Sequence, residues 1–201
     1  MIKIYDYLFP DELIVEGFNY FKKYQDWDYL ADSPTTNANA SIGKVFTKNF
    51  EPIVYKFIDY LEDKVFGKCL YNCFNYGDSP KPHIDSHSKD GITYLIYLNP
   101  FWQIDWAGET IFIGDDNEII TSITPKPGRL IKFTSNILHC ARPPVRDAIE
   151  SRYSLVFQTK PVEVTPQQVQ PTEPIQSTEP VVTEPAIPVE PYNPVSLEYI
   201  K

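Results

Sequence analysis

From Lys68 to Lys160 the sequence is a succession of short β-rich runs, and no other feature limits the possible folds as much. The runs are KCLYNCFNY, PHID, GITYLIYLN, GETIFIG, EIITSITP, GRLIKFTS, ILHCA and SRYSLVFQTK. Turn residues separate them, among them Gly77-Asp78-Ser79-Pro80, Gly114-Asp115-Asp116-Asn117 and Pro125 to Gly128. Eight short strands at such close spacing predict a sandwich or jelly roll. The helical signal precedes them and does not alternate with them, so a βαβ arrangement is excluded.

Two helices are expected before the strands. In DELIVEGFNYFKKY (11–24), Leu13, Gly17, Phe18 and Phe21 fall close to one face. In EPIVYKFIDYLEDKVF (51–66), Ile53, Val54, Phe57, Ile58, Leu61 and Val65 recur at the three-and-four spacing of an amphipathic helix, and Pro52 suits its first turn. These helices are expected to pack outside the strands. Composition changes sharply near Lys160. From Pro161 the chain has no glycine, histidine or cysteine, proline recurs every three to six residues, and a Thr-Glu-Pro unit ends at Pro174, Pro180 and Pro185. Proline removes backbone donors and biases its predecessor to extended geometry. The organisation expected is therefore a domain over 1–160, with a helical N-terminal part over 1–66. A Pro-rich tail over 161–201 follows, largely extended or disordered, with Val and Ile enough for a short docked stretch.

Bulk properties narrow the function classes. The formal charge of −9 argues against general attraction to nucleic acid or anionic membranes. The start MIKIYDYLFPDEL lacks a basic region followed by an apolar one, and no run reaches the length of a membrane span. Three cysteines, an odd number, add no disulfide framework. A soluble cytoplasmic protein is expected. Cys69 and Cys73 share a strand face but lack a second pair to close a zinc site, so buried free thiols are expected.

The stretch KPHIDSHSKDG (81–91) holds two of the three histidines. His-x-acid is weak by itself: three histidines and 27 acidic residues among 201 give roughly 0.4 chance matches. Geometry strengthens it, because residues i and i+2 of a strand share a face and His83 and Asp85 can meet one ion. His139, at the end of another expected strand, can complete a set of two histidines and one carboxylate. That set leaves three open positions and suits Fe(II) oxygen chemistry, whereas structural zinc is closed by four ligands. His87 has the same parity but lies in a turn-like stretch. Arg152 stands in the β-rich SRYSLVF with Ser154 on the same face. A buried guanidinium needs a partner, and its planar fork matches a carboxylate. Arg142, in a loop-like RPP, competes for that role but reads as a rim or substrate residue.

The ordered series HID, a distant His and R-x-S resembles the iron(II)- and 2-oxoglutarate-dependent dioxygenases. NYGDSPKPHID, TYLIYLN, WAGETIF and PKPGRLIKFTSNILHCARPP resemble their prolyl-4-hydroxylase-like branch, over roughly residues 70–158. The resemblance implies a double-stranded β-helix core. It implies His83, Asp85 and His139 as iron ligands, and Arg152, with Ser154, as the partner of the far carboxylate of 2-oxoglutarate. Tyr76 and Tyr94 join the co-substrate candidates. Tyr94 and Tyr97 have opposite parity, so one of them faces the interior. Two departures stand out. Animal prolyl 4-hydroxylases usually have lysine where this chain has Arg152, and the tyrosine usual three positions before the first ligand is Pro80 here. Trp106, near the expected mouth, and Arg142 are substrate candidates.

The activity implied is hydroxylation of a substrate C–H bond with O2, forming succinate and CO2, with ascorbate as a possible reductant. The substrate expected is a prolyl residue in a peptide. Alternatives are a free amino acid or other small metabolite, and a non-enzymatic interaction protein acting through its Pro-rich tail. The tail could also contact its own domain or a neighbour's.

Overall fold

A computed structural model describes residues 1–30, 41–47, 49–64, 66–78, 80–159 and 197–200. The described residues are mainly β with two α-helices, in three layers: helices, a large sheet and a small sheet. The strands are β1 (Ile2–Tyr5), β2 (Asp28–Leu30), β3 (Ser41–Phe46), β4 (Phe66–Phe74), β5 (Ile92–Tyr97) and β6 (Thr110–Ile113). After them come β7 (Ile119–Ile123), β8 (Leu130–Thr134), β9 (His139–Ala141), β10 (Arg152–Thr159) and β11 (Leu197–Ile200). The large sheet has the order β11-β1-β8-β5-β10-β4-β3-β2, and the small one β7-β6-β9. All pairs are antiparallel except β1 with β11. Two facing sheets around a core are consistent with a jelly-roll fold.

Helix α1 (Asp11–Lys22) buries Leu13, Ile14, Gly17, Phe18 and Phe21 and carries acids in its first turn and Lys22 in its last, in keeping with its dipole. Helix α2 (Pro52–Ile58) crosses it where Gly17 leaves room: a Cβ there would lie 2.7 Å from the Phe57 ring. The expected helix over 51–66 is shorter than its apolar periodicity suggests. Lys64 Nζ donates to the carbonyls of Ile58 (2.9 Å) and Asp59 (2.8 Å), so a side chain takes over acceptors at the end of the helix. Leu61 is still buried, but in the turn that follows.

Alternation in the central strands divides the large sheet into two faces. Tyr71, Tyr94, Ile96, Tyr153, Leu155 and Phe157 join the helices in one core, and Cys69 and Cys73 lie there as buried free thiols. Leu95, Tyr97, Ile131, Phe133 and Val156 meet Phe112 and Ile123 of the small sheet in the other.

Two sequence expectations need correction. The first 66 residues hold strands β1–β3 as well as helices. PHID is no strand: His83 makes a single antiparallel bridge with His139, after which the Asp85 and Ser86 amides both turn to the Ser135 carbonyl. Of the expected Pro-rich tail over 161–201, Leu197–Ile200 are described and pair with β1, and 161–196 and 201 lie outside the described residues. Among the described residues no helix is long and apolar enough to cross a membrane.

Candidate metal and co-substrate site

A cavity opens between the sheets, and the alternation that buries Leu95, Tyr97 and Val156 also delivers Thr93, Arg152, Ser154 and Gln158 to its wall. At one end stand His83, Asp85 and His139, brought together by the bridge between the two histidines and by the turn onto Ser135. One potential ligand atom from each lies within 4.8 Å of the others, and among the described residues this is the one such group. Asp85 Oδ1 is 3.8 Å from His83 Nε2, and Oδ2 is 3.7 Å from His139 Nε2.

Both imidazoles are set for coordination through Nε2. Nδ1 of His83 donates to the Lys81 carbonyl and Nδ1 of His139 to the Ile137 carbonyl, each at 2.9 Å. A carbonyl can only accept, so the proton sits on Nδ1 and Nε2 offers its lone pair. The Phe133 ring stands edge-on to His139 at 4.8 Å, and Phe112 stacks at 5.9 Å. Burial among them holds the His139 pKa below its ordinary value against the opposing pull of Asp85, which favours the neutral form a metal requires. His83 is the open side of the group, with its side chain 45% exposed against 7% for Asp85 and His139.

Arg152, also in the cavity wall, is fully buried. Its guanidinium lies between the rings of Phe74 (5.0 Å) and Tyr97 (4.8 Å), and Nη2 donates to Thr110 Oγ1 at 3.0 Å. Among the described residues Nε and Nη1 have no hydrogen-bond partner, and neither does Ser154 Oγ, which also lines the cavity. An unpaired buried cation is strongly unfavourable, so this arrangement calls for an anion. Gly108 shapes the same corner: its φ of +82° suits glycine, and a Cβ there would sit 3.2 Å from Arg152 Cδ.

The donor set fits Fe(II): two imidazoles presenting Nε2 and one carboxylate. The orphaned guanidinium fits the far carboxylate of 2-oxoglutarate. Both would be held in one cavity.

The remaining sequence candidates lie elsewhere. Tyr94 points to the helix side of β5, where its hydroxyl donates to Asp63 at 2.6 Å, and burial with that carboxylate pushes its pKa up. The cavity-side tyrosine is Tyr97, bonded to Thr110 Oγ1 (2.7 Å) and the Ile123 carbonyl (3.0 Å). Tyr76 is exposed on a turn beside Ala148–Ser151. Trp106 is buried edge-on against Trp102 and Phe101 and packs the 101–106 loop. Arg142 is exposed, its amide tied to the Glu109 carbonyl, and His87 is exposed in its turn. Thr93, Thr110 and Ser135 escaped notice in the sequence. Strand parity with Leu95 and Tyr97 was the available signal for Thr93.

Residues 69–158 match the family model of the 2OG-Fe(II) oxygenase superfamily. Among solved structures, the chain is similar to a Pseudomonas putida prolyl-4-hydroxylase (14% identity, covering 80% of this chain and 92% of that one, TM-score 0.62). It is also similar to a Trichoplax adhaerens prolyl hydroxylase in complex with a hypoxia inducible factor oxygen degradation domain peptide fragment (18% identity, 79% and 83%, TM-score 0.57). An oxidoreductase of the 2OG-Fe(II) oxygenase family from Burkholderia pseudomallei shares 14% identity over 72% of this chain and 78% of its own, with a TM-score of 0.50. At these identities the likeness shows the fold. No curated protein matches the chain.

Proposed function

We propose that this chain is a 2-oxoglutarate- and iron(II)-dependent dioxygenase, a reading supported by the match of residues 69–158 to the 2OG-Fe(II) oxygenase superfamily model, and that it hydroxylates prolyl residues in a peptide. The observation that carries the chemistry is one cavity holding both the His83, Asp85 and His139 group and the unpaired, fully buried Arg152. His83, Asp85 and His139 hold the metal. Arg152 holds the far carboxylate of the co-substrate, with Ser154 Oγ free to donate to the same ligand. Phe133, Phe74 and Leu95 line the cavity with apolar surface and limit water around the reacting groups. When bound, Fe(II) and 2-oxoglutarate supply the oxidising chemistry, consuming O2 and yielding succinate and CO2. The exposed His83 side is where a substrate segment reaches the metal.

The prolyl reading is supported by fold likeness to two prolyl hydroxylases, one of them in complex with a peptide fragment. A candidate peptide lies within the chain. Gln158, Thr93, Phe133, Ile2 and Leu197 are successive cross-strand partners in one row of the large sheet. Leu197 therefore lies four strand spacings, about 19 Å, from Gln158, the sequence between them carries nine prolines, and Gln158 and Thr93 in that row line the cavity.

The test incubates the full chain with Fe(II), 2-oxoglutarate and O2, alone, with Pro-rich peptides, and with free proline. Succinate and the masses of chain and peptide are measured. We expect succinate in wild type and none in Asp85→Ala, with one oxygen atom gained per modified proline. Gain on 161–196 would make the chain its own substrate. Oxidation of free proline alone would replace the peptidyl reading by the small-metabolite one, and succinate formation equal in Asp85→Ala would remove the metal assignment.

A further inference from the structure

We infer that Thr93 is a positioning residue for the metal site, orienting the Asp85 carboxylate through a directional hydrogen-bond chain that begins at Ser135. This rests on reading His83, Asp85 and His139 as the iron site. Thr93 is completely buried and Ser135 nearly so. Thr93 Oγ1 lies 2.7 Å from Asp85 Oδ2 and 2.9 Å from Ser135 Oγ. An ionised carboxylate can only accept, so Thr93 must give its single proton to Asp85. Its oxygen is then free to accept from Ser135, which fixes the direction of the whole chain: Ser135 to Thr93 to Asp85. Ser135 also holds the main chain of the same residue, because its carbonyl accepts the Asp85 amide at 2.8 Å and the Ser86 amide at 3.1 Å. Its own amide donates to the Gly91 carbonyl at 2.8 Å, which anchors the clamp at the start of β5. Asp85 is thus gripped twice from one residue, once directly by its backbone and once through Thr93 by its side chain.

The consequence concerns how many positions the carboxylate occupies on the metal. Thr93 engages Oδ2 and leaves Oδ1 free on the His83 side, favouring a one-oxygen ligand. With two imidazoles, a one-oxygen carboxylate leaves three of six positions open, and a two-oxygen carboxylate leaves two. A co-substrate taking two positions together with O2 requires three. Water has little access to substitute for the Thr93 hydroxyl, since the Asp85 side chain is 7% exposed.

The test is a titration of Co(II) alone into the metal-free full chain, followed by visible absorption, with a thermal melt of each metal-free variant. Removing such an outer partner lowers metal affinity by about ten- to a hundred-fold, and that is the loss expected for Thr93→Val. Thr93→Ser keeps the hydroxyl and should bind as wild type does. Ser135→Ala leaves the Thr93–Asp85 bond but frees its orientation, and should show a smaller loss. Wild-type affinity in a folded Thr93→Val overturns the positioning role. If Thr93→Val does not fold, unchanged affinity in Ser135→Ala overturns it instead. Absence of any Co(II) spectrum in wild type removes the metal site itself and the inference with it. Loss in Thr93→Val with rescue in Thr93→Ser cannot arise from packing alone, because valine and threonine have nearly the same shape.

Discussion

The two faces of β5 and β10 are built from alternate residues of the same strands, yet they leave their polar groups in opposite conditions. Toward the helices, Tyr94 gives its hydroxyl to Asp63, and the ring of Tyr153 packs edge-on to Phe18. Tyr71 Oη is the exception there, buried without a hydrogen-bond partner among the described residues. A neutral hydroxyl left alone costs about 1–3 kcal/mol, a loss that rings packed around Tyr71, such as Phe21 and Phe46, can offset. Toward the cavity, Nε and Nη1 of the Arg152 guanidinium and Ser154 Oγ lack hydrogen-bond partners among the described residues, and burying a charge without a counter-charge is far less favourable. One face is therefore complete as folded, and the other is complete only with a ligand. Stability should belong to the first and co-substrate binding to the second.

The sharpest way to break that division is Arg152→Leu. Truncating one member of a buried charge pair costs about 2–5 kcal/mol, so KM for 2-oxoglutarate should rise at least about 30-fold. The metal-free protein should melt no lower than wild type, because the substitution removes a cation that the empty fold does not satisfy. Arg152→Lys keeps charge without the planar fork and should fall between. A steep drop in melting temperature for Arg152→Leu would show that the cavity face also carries the fold.

Phe57→Ala tests the other face. The ring is fully buried, 5.4 Å from that of Phe9 and against the gap left by Gly17. Its removal should destabilise the fold by about 3–5 kcal/mol in chemical denaturation. KM for 2-oxoglutarate in the remaining folded protein should not move.

Much of this was legible in the sequence, for identifiable reasons. Period-two alternation revealed β4 to β10 except the His83 segment, where Pro82 and the turn onto Ser135 leave only a one-residue bridge. Strand β1 carried the same alternation in IKIY, but over four residues beside a strong helical signal it went unread. Strand β11 lies beyond a Pro-rich segment whose composition concealed it. In the site, chemistry singled out Arg152 as a candidate without geometry, because charge inside an apolar strand needs a partner, and the residue lies buried in the cavity wall. Parity could separate Tyr94 from Tyr97 but could not say which faced inward. That depends on the register pairing Ser154 with Tyr97 and on the helices covering the opposite side, both long-range facts. Ser135 reaches Asp85 only through Thr93 and a main-chain turn, and no local pattern encodes that.

The smallest expected effect concerns pH and belongs to the cavity face alone. Burial holds His139 below the ordinary histidine value of 6.5. The folded metal-free protein therefore binds fewer protons than the unfolded chain once pH drops below that value, and the unfolded state gains. Above 6.5 both forms are neutral at this residue, and its contribution to the pH dependence vanishes. Stability of the metal-free protein should fall as pH decreases below 6.5, by at most about 1.4 kcal/mol per pH unit for one proton, and level off once the folded form also titrates. Melting curves across that range should slope less steeply in His139→Gln, which cannot titrate. In Phe57→Ala they should be displaced downward with the slope retained. A slope unchanged in His139→Gln would place the pH sensitivity elsewhere and remove His139 from the groups that distinguish the two faces.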